Sequence, residues 1–116
     1  MSNYTRINPA TATKTSGLFT PASGITVESQ SFTSYGKIAF LDIYVKHASA
    51  WNVGSQYNIG TVADGYRPAQ NSFGVLGSFG VTVILPSGDA YVRPLASVGE
   101  NAANASAYAR FVYILP

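Results

Sequence analysis

The sequence predicts an all-β domain, a sandwich or barrel of seven or eight short strands, and three observations predict it. Apolar residues alternate with period two in several segments. Gly and Pro punctuate the chain every ten residues or so. No window carries a 3.6-residue period of useful length. A chain of 116 residues suits one domain with one core.

Residues 1–20 read as a tether. They are rich in Thr, Ser, Asn, Ala and Pro, and carry too little apolar surface to offset the entropy of ordering. The folded domain is expected over 21–116. Its first strand falls at 25–32, where Ile25, Val27 and later Phe32 are the apolar marks. Residues 37–46, KIAFLDIYVK, form the clearest strand. Ala39, Leu41, Ile43 and Val45 make one aliphatic face, and Ile38, Phe40, Asp42 and Tyr44 the other. Both faces call for cover, one from the core and one from something else. Strands follow at 56–62, 72–76, 79–85 and 89–95. The last two are joined by Pro86-Ser87-Gly88, a hairpin-length turn signal. The closing strand, 105–115, is apolar at nearly every position, which places it centrally in its sheet. A polar loop, SVGENAAN, fills 97–104.

Composition narrows function. Charged residues are 10% of the chain, where about 25% is usual. Arg6 and Lys14 lie in the first twenty residues. Five bases (Lys37, Lys46, Arg67, Arg93, Arg110) and five acids (Glu28, Asp42, Asp64, Asp89, Glu100) cancel over the rest. That leaves no basic patch for nucleic acid. A neutral surface suits sister chains and uncharged ligands such as sugars. The opening MSNYTRINPATATKTSG lacks the apolar core of a signal peptide, and no apolar run approaches a membrane helix. With no cysteine there is no disulfide, thiol nucleophile or sulfur-based zinc site.

Catalytic and metal constellations are missing from the pattern. His47 is the one histidine, read as a loop residue at the end of the strong strand. Asp42 lies five residues away, which on a strand sets the two on opposite faces. The five acids are scattered, without the spacing of a calcium loop or a defined carboxylate pair. The expectation is a non-enzyme without cofactor or metal. Gly74-Val-Leu-Gly77-Ser-Phe-Gly80 leads into a strand and not a helix, so it reads as a bent strand pair and not a phosphate loop.

Sugar binding relies on exposed aromatics flanked by polar side chains. Trp51, the one tryptophan, sits in the polar segment HASAWNVGSQ. It reads either as a stacking platform or as a cap on the end of the core. On the platform reading the ligand site comprises His47, Trp51 and Asn52, with Glu100, Asn101 and Asn104 of the polar loop as a second wall. GTVADGYRPAQN, residues 60–71, places an acid, an aromatic and a base within four residues. Asp64-Gly65 is nevertheless a turn dipeptide, and Pro68 extends Arg67. The ring of Tyr66 is then expected to fold onto the sandwich while its hydroxyl meets a backbone partner. Arg67 is left to pair with an acid or reach across an interface.

Ile59-Gly60-Thr61-Val62, Gly65-Tyr66-Arg67-Pro68, Pro86-Ser87-Gly88-Asp89 and Phe111-Val112-Tyr113-Ile114-Leu115 occur here in an order that resembles the C-terminal heads of bacteriophage tail-fibre, baseplate and receptor-binding proteins. The resemblance spans residues 24–116. It implies an antiparallel jelly-roll-like β-sandwich, a homotrimer, and recognition of a host cell-surface polysaccharide. It also implies a place on the outer face of the virion tail, beside other tail or baseplate proteins, after synthesis in the host cytoplasm. Gly65, Tyr66, Arg67 and Pro68 would be structural landmarks. The first twenty residues match no stalk repeat. A purely structural tail module and a lectin-like domain are the alternatives.

Overall fold

A computed structural model describes residues 13–116. It holds nine strands: β1 (Thr13–Lys14), β2 (Phe19–Pro21), β3 (Ile25–Tyr35), β4 (Ile38–His47), β5 (Tyr57–Val62), β6 (Ser72–Leu76), β7 (Gly80–Ile84), β8 (Asp89–Pro94) and β9 (Ser106–Ile114). One 3₁₀ turn, Gly99–Asn101, lies before β9. The strands form one antiparallel sheet in the order β1-β3-β4-β9-β6-β7-β8-β5-β2. The sheet curls so that residues from all parts of it share one core. Only β3–β4, β6–β7 and β7–β8 are both consecutive in the chain and adjacent in the sheet, so the fold is more than a simple meander. The all-β antiparallel fold expected from the sequence is the fold observed.

The centre of the sheet is the β4–β9 pair. Ala39, Leu41, Ile43 and Val45 are all fully buried, as their alternation requires. Opposite them stand Tyr113, Phe111, Ala109 and Ala107 in register. Large faces small at Ala39–Tyr113 and Ile43–Ala109, which fills the layer without overpacking. Each large aliphatic side chain buried here contributes about 1.5–3 kcal/mol. β9 lies between β4 and β6, the central position expected of it.

The broken alternation of β3 has a physical cause. Ile25 and Val27 face inward at odd positions, Phe32 and Ser34 at even ones. A register shift between Val27 and Ser29 inserts one residue and switches the faces, the mark of a β-bulge.

The tether expectation is corrected for residues 13–20. β1 pairs with β3, and β2 with β5. Leu18 is fully buried and Phe19 nearly so. Leu18 N–H donates to Gln30 Oε1 at 2.9 Å, and its carbonyl accepts from Ala63 N–H at 2.7 Å. It thus joins β3 to the segment after β5, at the seam where the curled sheet returns on itself. Two adjacent apolar side chains anchor the segment, an effect that a twenty-residue composition average conceals. Residues 1–12 of the expected tether lie outside the described residues.

Candidate functional site

β3, β4 and β9 are the three longest strands, and a group of conspicuous residues lies toward each end of them. At the end where β4 finishes, His47 is the last strand residue, paired with Ile25. It is not the loop residue expected. Its ring follows the inward face of Val45 and stacks on the Trp51 indole, with centroids 4.4 Å apart and planes 26° apart. Tyr57 meets both rings edge-on at 5.0 and 5.1 Å. Asp42 points to the other face, as expected, and pairs with Arg110.

Trp51 is 2% exposed. That overturns the open-platform reading and leaves the other one: the indole caps the core. The cause lies fifty residues away. Trp51 N–H donates to the Asn101 carbonyl at 2.8 Å, and Asn101 Nδ2 donates to the Trp51 carbonyl at 3.0 Å. Asn101 Oδ1 also accepts from Val98 N–H, and Asn104 N–H donates to the His47 carbonyl at 2.8 Å. Asn104 occupies the left-handed region (φ 64°), which Asn tolerates better than most residues.

The structure therefore does bring His47, Trp51, Asn101 and Asn104 together, as the two-wall expectation required. Their polar groups hold the 97–104 loop down over the indole, and so form a closure instead of a cleft. Asn52 and Glu100 stay exposed at its margin. Asn52 is engaged through its backbone N–H, which donates to Tyr57 Oη at 2.7 Å. Trp51 Nε1 and His47 Nδ1 are buried without hydrogen-bond partners among the described residues.

The opposite end carries the Gly-Tyr-Arg-Pro turn. Tyr66 N–H donates to the Ala63 carbonyl at 3.2 Å, with Gly65 at φ 92°, the left-handed third residue such a turn needs. The Tyr66 ring packs edge-on against Phe32 at 4.9 Å, with the Lys14 ammonium 5.8 Å from its centroid. The hydroxyl that finds a backbone partner is Tyr113's, which donates to the Tyr66 carbonyl at 2.5 Å. Burial pushes that hydroxyl well above the usual tyrosine range. Arg67 pairs with no acid. Its Nε donates to the Val62 carbonyl at 2.9 Å. Gly88, at φ 92°, makes room: a Cβ there would stand 2.5 Å from that carbonyl and 2.6 Å from Arg67 Nε. The stretch is a turn stitched to the sheet, as Asp64-Gly65 and Arg67-Pro68 suggest.

What remains open is the outer face of the sheet. Ile38, Phe40 and Tyr44 of β4 stand opposite Ile114, Val112 and Tyr108 of β9, and all six are exposed. In their midst Arg110 Nε lies 3.3 Å from Asp42 Oδ1, with the guanidinium 5.1 Å from the Tyr108 ring. Beyond β9, Phe73 and Val75 of β6 extend the face. Phe73 is 73% exposed, the highest value for a large apolar side chain among the described residues. It lines three adjoining depressions. The largest, about 560 Å³, runs between residues 69–72 and the end of β9.

Sequence reading singles out Phe40 and Tyr44 but passes over Phe73. Its signal is faint: in Ser72-Phe-Gly-Val-Leu76 the alternation sets Phe73 and Val75 opposite the buried Leu76. Among the described residues no group of three or more His, Asp or Glu side chains gathers to hold a metal ion. No protein-family model matches the chain, and no curated protein and no solved structure matches it either.

Proposed function

We propose that this chain is the head of a bacteriophage tail-fibre or baseplate receptor-binding protein. In this reading it assembles as a homotrimer on the outside of the virion, beside other tail or baseplate proteins. It binds a host cell-surface saccharide without altering it chemically.

The observation that carries the reading is the outer face of β4 and β9. Soluble monomers rarely expose contiguous apolar patches beyond a few hundred Å². Here Ile38, Phe40, Tyr44 and Tyr108 share one face with their cross-strand neighbours. Its two ion pairs, Asp42–Arg110 and Lys46–Glu28, are each neutral as a unit. Covered by a sister subunit, Phe40, Tyr44 and Tyr108 would be buried, as β4's double-sided pattern requires, while the margin of the face at Phe73, Val112 and Ile114 stays open. The low overall charge supports the same assembly and an uncharged ligand.

Light scattering at micromolar concentration tests the trimer, and a monomer mass would overturn it. Binding of labelled protein to host cells, competed by purified wall polysaccharide, tests recognition. A second reading, a structural tail module without receptor binding, draws on the burial of Trp51, which withdraws the expected platform. A trimer that binds no host cell would decide for it. Release of reducing sugar would decide for an enzyme instead.

A further inference from the structure

We propose that the groove beside Phe73 is a binding site for an uncharged pyranose, with the Phe73 ring as its stacking platform. The inference rests on the saccharide-binding reading above and locates it at a place distinct from the Trp51 closure.

The walls of the groove carry it. One wall is apolar: Phe73, Val112 and Ile114. The facing wall is polar and uncharged: Gln70, Asn71 and Ser72. No acid or base lines it, unlike the neighbouring depressions, which include Arg93 or the Asp42–Arg110 pair. A side-chain amide offers two donors and an acceptor. That matches sugar hydroxyls, which donate and accept, better than it matches an ion. No hydrogen bond to another described residue engages the Gln70 or Asn71 amide, and both residues are exposed. An aromatic face carries the negative side of its quadrupole, so it attracts the weakly positive C–H groups on the flat side of a pyranose. About 560 Å³ lies within the usual range for small-molecule sites.

The polar wall is also held in place. Ala69 N–H donates to the Ile114 carbonyl at 2.9 Å, just where the groove begins. Two residues upstream of Pro68, the Tyr66 carbonyl is held by Tyr113. Ser72 Oγ donates to the Gln70 carbonyl at 2.9 Å. A wall pinned on both flanks gives up little freedom on binding. The Gly-Tyr-Arg-Pro turn thereby acquires a role: it sets the strand-to-strand segment against β9 at the spacing the groove needs.

The test is an NMR titration of the ¹⁵N-labelled chain with glucose, galactose, rhamnose and N-acetylglucosamine as probes. With at least one sugar, millimolar binding is expected to shift the Gln70 and Asn71 side-chain amides and the backbone of residues 69–73. Phe73→Ala is expected to weaken that binding about tenfold or more, with the unfolding temperature and the oligomer mass unchanged. Phe73→Trp is expected to retain it. Shifts confined to another region, no shifts with any of the four sugars, or unchanged affinity in Phe73→Ala would overturn the site. A loss of oligomer mass in Phe73→Ala would also overturn it, because the ring would then be a subunit contact. Host-cell binding that survives Phe73→Ala overturns the groove and leaves the receptor-binding reading standing. Sugar shifts at the groove with no cell binding by the unaltered chain do the reverse.

Discussion

The two ends of the sandwich are closed by different chemistry. At the Trp51 end, three aromatic rings stack and meet edge-on, and two ring nitrogens, Trp51 Nε1 and His47 Nδ1, are buried without partners among the described residues. At the Tyr66 end, the conspicuous groups are hydrogen-bonded to backbone: Tyr113 to the Tyr66 carbonyl, Arg67 to the Val62 carbonyl. In the first closure hydrogen bonds hold a loop over stacked rings, and in the second they tie side chains directly to strand carbonyls. Both gather the residue types of a binding site, and in both those residues are used internally. A cluster of aromatic and polar residues becomes a candidate site only when some of its groups remain unengaged, which is the condition Gln70, Asn71 and Phe73 meet.

Substitutions at the two ends sharpen the contrast. The largest effect is expected at the packed end. Trp51→Ala should cost about 3–5 kcal/mol in chemical denaturation, as large-to-cavity changes in cores do. A loss below about 1 kcal/mol would break the claim that the indole caps the core. Next, Gly88→Ala forces a Cβ toward the Val62 carbonyl in a left-handed conformation, and should cost about 1–3 kcal/mol by the same measurement.

Tyr113→Phe removes one hydrogen bond and should cost about 0.5–1.5 kcal/mol at neutral pH. That difference has a pH signature. Burial raises the folded-state ionisation of Tyr113 above the ordinary value of about 10. Its contribution is thus fully present below about pH 10. Above that, the unfolded chain releases the proton while the folded chain retains it, and the contribution declines. Denaturation curves for the two proteins should converge as pH rises through the alkaline range, and parallel curves would break the assignment. The smallest effect belongs to Asn52→Ala. Its side chain sits exposed at the margin of the closure, so stability should stay within about 0.5 kcal/mol.

The long strands were legible because period-two alternation survives in a single sequence. The four fully buried residues of β4 are the four that the pattern picks out. The bulge in β3 was not legible: Ile25, Val27 and Phe32 mark a strand, but where its faces switch depends on its register with β4. β1 and β2 escaped notice because strands of two and three residues have no period. Their anchor, Leu18-Phe19, is too short to register in a polar segment. The Trp51 cluster was half legible. Its members were named together, but whether the 97–104 loop folds over the indole or stands away from it rests on hydrogen bonds between residues fifty apart. Phe73 was hidden for a related reason: its exposure follows from β6 lying beside β9, a pairing that no local pattern encodes.

The seam at Leu18 has a consequence for solubility. A chain with only 10% charged residues and rich in strands has little charge repulsion with which to prevent edge-to-edge polymerisation, the usual hazard of open sheets. Here one terminal strand of the sheet, β2, is only three residues long and ends in Pro21, which has no N–H to offer. Beside β3, the return of the chain through Leu18 ties the segment before β2 to the Gln30 side chain. Backbone-templated growth into fibrils is therefore discouraged by geometry, not by charge.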